Sequence, residues 1–228
     1  MENPGGMILS DRNGLDIKDN YKQMRDQMRP QFLTFDQEEM IRRFHLDFDA
    51  DYLYIRFCGR LYRIGRTTGV VEWSEDQFKT CILGDFEESM TIYDLLCCSK
   101  PGCSLSGEYA PSSSLPGLVY TGMKAGSSMG SRRREEYFDA HTEELEQACI
   151  ALGGIPEGRG DVAYRIPLFD FLPVRFSFWR SDEDFPAEIR ILWDTNVQQF
   201  LHFETLFYAA GHLLWRMEEL MRGENFVQ

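Results

Sequence analysis

Val174-Arg175-Phe176-Ser177-Phe178-Trp179 and Ala187-Glu188-Ile189-Arg190-Ile191-Leu192-Trp193 decide the fold. In each run apolar side chains alternate with polar ones. Val174, Phe176 and Phe178 point one way, and Ala187, Ile189, Ile191 and Trp193 repeat the pattern, as strands with one wet face require. The polar, proline-closed segment Arg180-Ser181-Asp182-Glu183-Asp184-Phe185-Pro186 between them predicts a β-hairpin. Parity requires the even apolar set of the first strand to share a face with the odd set of the second. One such register sets Phe176 opposite Ile189 and Arg175 opposite Arg190. A two-residue shift sets Arg175 opposite Glu188. Like charges directly opposite cost stability unless an acid or anion lies between them, so the second register is expected.

Working outward, Phe203, Leu206, Phe207, Ala210, Leu213, Leu214, Met217 and Leu220 recur at helical spacing and form an apolar stripe. Glu204, Tyr208, His212 and Arg216, each four apart, form a neighbouring row expected on a wet face. Asp194-Thr195-Asn196 offers capping oxygens, and Gly223 is a stop. Upstream, Asp19–Met28 predicts a helix ending near Pro30, and Asp36–Phe44 a second, with Asp36 and Glu39 spaced as a capping box. Tyr52–Phe57, Leu61–Ile64 and Val70–Trp73 predict a meander turning at Gly59 and Gly69. Ser89–Cys98 reads as a helix and Arg132–Leu152 as another, stopped at Gly153-Gly154. Residues 1–18 read as a flexible start, and residues 99–131, rich in glycine, proline and serine, as a long loop able to cover a pocket. The expectation is a single α+β domain over residues 1–228. Its antiparallel or mixed sheet, built from hairpins, packs against amphipathic helices, including a long C-terminal one.

Composition narrows the function classes. The chain has 228 residues, 43% of them hydrophobic, which is enough for a packed core. Thirty-seven acidic against 24 basic residues give a net charge of −13, which disfavours nucleic acid and anionic membranes. The basic run Arg132-Arg133-Arg134 is followed at once by Glu135-Glu136. No apolar run is long enough to span a bilayer, and the first residues lack a signal-peptide pattern, so a cytoplasmic location with reduced cysteines is expected.

Cys97, Cys98 and Cys103 form a C-C-x4-C cluster without the usual metal spacing or an obvious fourth ligand. Cys58, Cys81 and Cys149 read as core thiols. No H-x3-H, H-E-x-x-H, P-loop, dinucleotide-binding or nucleophile-elbow pattern is present. His202 beside Glu204 reads as capping at a helix start. Asp182, Asp184 and Asp194, with Glu204, are the candidate ligands for a hard cation. Glu108, Asp161, Arg175 and Arg190 are the candidate lining of a small-molecule or cofactor pocket.

Several short segments, taken together, resemble a family. They are Leu105-Ser106-Gly107-Glu108, Leu115-Pro116-Gly117, Leu152-Gly153-Gly154, Gly160-Asp161, Asp182-Glu183-Asp184-Phe185-Pro186-Ala187 and Ile191-Leu192-Trp193-Asp194. Across roughly Tyr52–Met221 the chain resembles the DUF3786 family of domains of unknown function, met in anaerobic bacteria and archaea. Some relatives carry an added cysteine-rich iron–sulfur segment, which is missing here. The family pattern leads us to expect threonine at Ser106, glutamate at Asp184 and an arginine near Ser114. The resemblance implies a shared scaffold and no known reaction. The expected function is a small-molecule or cofactor-binding accessory protein, with a carboxylate metalloenzyme and a protein-interaction module as alternatives. The partner would be a small molecule or another protein, and no particular cofactor is implied.

Overall fold

A computed structural model describes residues 17–116 and 131–223; the N-terminal residues 1–16 and much of the predicted long loop lie outside them. The described residues form an α+β structure of six α-helices and ten strands in one antiparallel sheet. The helices are α1 (Ile17–Phe32), α2 (Gln37–Phe44), α3 (Phe86–Cys98), α4 (Arg132–Ala140), α5 (Thr142–Ala151) and α6 (Thr205–Met221). The strands are β1 (Asp47–Phe48), β2 (Tyr52–Phe57), β3 (Arg60–Gly65), β4 (Val71–Trp73), β5 (Ile82–Leu83), β6 (Tyr109–Pro111), β7 (Ile155–Pro156), β8 (Val162–Phe169), β9 (Leu172–Trp179) and β10 (Glu188–Asp194). The main strand order is β5-β4-β3-β2-β8-β9-β10-β6, with β1 beside β2 and β7 beside β8.

The alternation in β8, β9 and β10 sends Ile166, Val174, Phe176, Phe178, Ile189, Ile191 and Trp193 into the core. There they join Leu206, Leu213, Leu214 and Met217 of α6 in one buried cluster. Each such side chain contributes roughly 1.5–3 kcal/mol by leaving water. The expected meander forms as β2-β3-β4, with β5 added beyond it. The β2–β3 turn is two residues long, with Cys58 at φ 46° and Gly59 at φ 74°. Both left-handed positions suit the right-handed twist of the flanking strands.

The β9–β10 hairpin keeps the required parity in a register neither alternative describes. Phe176 faces Ile191, Arg175 faces Leu192 and Arg190 faces Ser177. The like-charge pair falls instead across β8 and β9, where Arg165 is opposite Arg175. Glu157 lies between them, 2.8 Å from Arg165 Nε and also ion-paired with Arg175. The intervening acid removes the repulsion that disfavours such pairs.

Other expectations are corrected. Strand β8, which joins the meander to the hairpin, is not among the expected elements, because a proline inside a run, here Pro167, argues against a strand although the alternation continues through it. Helix α1 runs through Pro30, held at its end by the fully buried Phe32. Residues 132–152 form two helices broken at His141, whose backbone turns to φ −136°, ψ 48° and whose Nδ1 lies 2.8 Å from Tyr137 O. Helix α3 starts three residues before Ser89, on a complete capping box between Asp85 and Glu88. Asp36 caps α2 as expected. Cys58 and Cys149 are core residues, but Cys81 is exposed, within 3.1 Å of Arg63. His212 and Arg216 are buried, not on a wet face.

The segments that carry the family resemblance lock to one another. Asp194, fully buried, accepts through Oδ1 from Ser106 N (3.0 Å), Ser106 Oγ (2.9 Å) and Asn196 N (2.8 Å), and through Oδ2 from Gly107 N (2.8 Å). Gly107 sits at φ 80°, which only glycine adopts without strain. Burial alone raises the Asp194 carboxyl, but hydrogen bonds from Ser106, Asn196 and Gly107 outweigh it and hold it below its ordinary range. At the other end of the hairpin, Asp161 Oδ2 accepts from Arg180 N at 2.7 Å. An Asp194→Asn change sets an amide NH2 against one of these donors, and urea unfolding is expected to show a loss of about 2–3 kcal/mol at neutral pH.

Candidate functional site

Two groups of chemistry-bearing side chains come together on α3 and α6. The first is buried. Arg60, at the start of β3, is 2% exposed, and its guanidinium lies 3.4 Å from the centroid of the Trp73 ring. Its Nη2 donates to Glu219 Oε1 (3.0 Å), Nε reaches Glu75 Oε1 (3.2 Å), and Nη1 lies 3.6 Å from Glu88 Oε1. Arg216 also pairs with Glu219. Tyr62 donates to Glu88 Oε1 at 2.6 Å and lies 3.3 Å from His212 Nε2. The His212 ring stacks on Phe57 at 4.8 Å between centroids.

Desolvation sets the protonation of this group. Burial, with Arg60 and Arg216 beside it, holds His212 well below the ordinary imidazole value, so the ring is neutral. Burial, with the Asp85 charge next to it, pushes the Glu88 carboxyl up to about 7. Glu87 is likewise pushed to about 7 by burial and then by Asp85. Burial raises Asp85 as well. Asp85, Glu88 and His212 each place a ligand atom within 4.8 Å of the others. Arg60 already stands against Glu88, however, so this group is a hydrogen-bonded proton-holding cluster rather than a vacant metal cage.

The second group lies nearer solvent. Asp94 and Cys98 are one turn apart on α3 and therefore share a face. His202, in the turn before α6, gives its backbone N–H to Asp94 Oδ2 at 2.7 Å, and its Nδ1 lies 2.5 Å from Asp94 Oδ1. Asp94, Cys98 and His202 each offer a ligand atom within 4.8 Å of the other two. Burial and then the Asp94 charge raise the Cys98 thiol above its ordinary value. Cys98 and His202 also line a pocket of about 280 Å³ with Lys100, Pro116, Gln198, Leu201 and Phe203. Lys100 N donates to Gln199 O at 2.7 Å, and the Gln198 side chain donates through Nε2 to Pro116 O at 2.7 Å, so one backbone and one side-chain hydrogen bond tie the segments that line the pocket.

The residues proposed from sequence are dispersed. Asp182 and Asp184 line a larger cleft, about 360 Å³, with Arg132, Glu135, Glu136 and Asp139. Asp182 Oδ1 is occupied by the backbone N–H groups of Asp184 and Phe185, at 2.8 and 2.7 Å. Asp194 ends β10, roughly 20 Å away by strand rise, and Glu204 stands exposed before α6. Of the expected pocket lining, Arg175 lies over the Tyr109 ring at 4.1 Å. Arg190 lies over Trp179 at 4.8 Å and pairs with Glu188 at 2.8 Å. Both arginines belong to the outer face of the sheet. Glu108 is exposed, its carbonyl accepting from Thr195 N at 2.8 Å, and Asp161 holds the far end of β9. Of the cysteine cluster singled out in the sequence, Cys98 alone joins a histidine and a carboxylate. The spacing of Asp94 and Cys98 was a readable signal; the arrival of His202 from more than a hundred residues away was not.

The open antiparallel sheet, its helical layer and these two polar groups define an α+β domain with a buried ionic core and a small lateral pocket. The chain belongs to the family described as Domain of unknown function (DUF3786), whose model matches residues 36–216. Every residue of the lateral pocket falls within that span. No curated protein matches the sequence, and no solved structure matches it. No helix among the described residues is long and apolar enough to cross a membrane.

Because the folded state raises the Glu88 pKa, the native protein holds a proton there that the unfolded chain releases near its ordinary value of 4.5. The stability due to that proton is present in full below pH 4.5 and is lost as pH climbs to about 7. Glu88→Gln cannot titrate. Its stability relative to the parent is therefore expected to rise by on the order of 2–3 kcal/mol between pH 4.5 and 8, measured by denaturant unfolding at each pH.

Proposed function

We propose that this protein is a small-molecule-binding accessory domain and that its ligand occupies the pocket between the end of α3 and the start of α6. The observation that carries this reading is the mixed lining of that 280 Å³ space: Pro116, Leu201 and Phe203 supply apolar wall, Gln198 and His202 supply polar groups, and Lys100 supplies a cation. Binding sites combine apolar walls with a few placed polar groups in this way, and the volume suits a ligand of few heavy atoms. Among the described residues no carboxylate is ion-paired with Lys100, in a chain whose net charge is −13. The ligand class is therefore a small anion, a carboxylate or a phosphate. The larger cleft carries six carboxylates against one arginine and repels such a ligand.

Inorganic phosphate and succinate are the probes. Saturating concentrations of one of them are expected to raise the melting temperature by several degrees, from a binding free energy of about 2–3 kcal/mol. Lys100→Met is expected to abolish the shift without changing the melting temperature of the free protein by more than a degree or two. A shift that persists in Lys100→Met, or no shift with either probe at 10 mM, removes the reading.

A further inference from the structure

The wall of the pocket carries a combination of donors that a capping role does not explain. Asp94 alone would suffice to cap the turn at His202, since its Oδ2 takes the backbone N–H. The imidazole and the thiol are additional, and both meet the same carboxylate. A thiolate, a carboxylate and a neutral imidazole together carry two negative charges. Among the described residues no arginine or lysine is paired with any of the three. Their sum matches one divalent cation.

We propose that Asp94, Cys98 and His202 form a binding site for a Zn²⁺-class divalent ion, with its fourth position open to the 280 Å³ pocket. Sulfur and imidazole donors select a borderline-soft ion over Mg²⁺ or Ca²⁺, which take all-oxygen cages. Three protein ligands with one free position is the arrangement of zinc sites that engage a further ligand, in contrast to closed four-residue structural sites. The ligand atoms already stand within 4.8 Å of one another. Bonds of about 2.0–2.3 Å at tetrahedral angles set donors roughly 3.3–3.7 Å apart, so the ion spreads Asp94 and His202 from their present hydrogen bond and draws Cys98 inward. His202 is 68% exposed and Cys98 is also exposed, so neither movement disturbs the core. Binding releases the thiol proton of Cys98 to solvent as the sulfur–metal bond forms.

This inference deepens the pocket reading, because the open position faces the same space, but ion binding stands or falls without any anion. Co²⁺ alone, titrated into the reduced protein, is the probe. One equivalent is expected to bind and to give a sulfur-to-cobalt charge-transfer band, which Zn²⁺ then displaces. Cys98→Ser is expected to eliminate the band, and His202→Ala to weaken binding by more than about tenfold. Cys97→Ser and Cys103→Ser leave both unchanged. Far-ultraviolet circular dichroism checks that each variant folds. The site is refuted if neither ion binds at micromolar protein, or if the band and affinity survive Cys98→Ser and His202→Ala together. If cobalt binds as described while phosphate and succinate leave its spectrum and the melting temperature unchanged, the ion site stands and the anion reading fails.

Discussion

The guanidinium of Arg60 is the interaction on which the rest of this structure depends. It sits where three elements meet: the β2–β3 hairpin that carries it, the start of α3 through Glu88, and the end of α6 through Glu219. Removing a cation from water costs several kcal/mol, and only close opposite charge with good hydrogen bonds offsets that cost. Glu219 and Glu75 supply both to Nη2 and Nε. Among the described residues Nη1 has Glu88 only at 3.6 Å and no hydrogen bond, and the Trp73 ring adds a cation–π contact at 3.4 Å. Hydrophobic surface alone would let α3 and α6 slide on the sheet. A buried charge has few acceptable positions, and its partners inherit that restriction. The relation of α3 to α6, and with it the meeting of Asp94 and Cys98 with His202, follows from this constraint.

The buried group also explains why a neutral histidine and a proton-holding glutamate occur together. Glu88 accepts hydrogen bonds from the Tyr62 hydroxyl and, at 2.7 Å, from the Asp85 backbone N–H, yet it shares the helix start with the Asp85 and Glu87 carboxyls. Three carboxylates at one helix start benefit from the helix dipole, but burial makes their joint ionisation costly. The chain resolves the conflict by holding protons near neutrality rather than by excluding the acids. The outer part of α3 has the opposite character. Cys98 faces solvent and a pocket, Asp94 lies half-buried behind it against His202, and the ion pairs of Arg60 go to Glu75, Glu88 and Glu219 instead.

Much of this architecture was legible in residue order. The period of two in β9 and β10, the aromatic meander and the apolar stripe of α6 each depend on neighbours close in sequence, and each formed. Strand β8 was less legible: its alternation holds from Val162 to Leu168, but a proline inside a run argues against a strand, and the register shifts between Pro167 and Phe169. The hairpin pairs across a longer loop than either expected register has, and the like-charge pair lies instead between β8 and β9, where Glu157, a residue outside both strands, stands between the arginines. His212 and Arg216 illustrate the deeper limit. Their spacing fits a polar helix face, and only the distant residues Arg60, Tyr62 and Glu88, meeting that face at His212 and Glu219, turn it into core. Sites assembled from remote segments, such as Asp94 with His202, leave no local pattern at all. The acids chosen from sequence shared a loop or a strand end, and sharing a neighbourhood in sequence did not bring Asp194 or Glu204 to Asp182.

The margins of the sheet have one more effect. Its path starts at a two-residue strand, Ile82–Leu83, and ends at a three-residue one, Tyr109–Pro111, whose last residue has no amide hydrogen to offer. A foreign strand approaching either rim finds too few free backbone groups to zip up a stable ladder. A wide, aromatic-rich sheet of this kind is a natural template for fibril growth. The clipped borders leave such growth little backbone to extend from while the broad central strands stay intact.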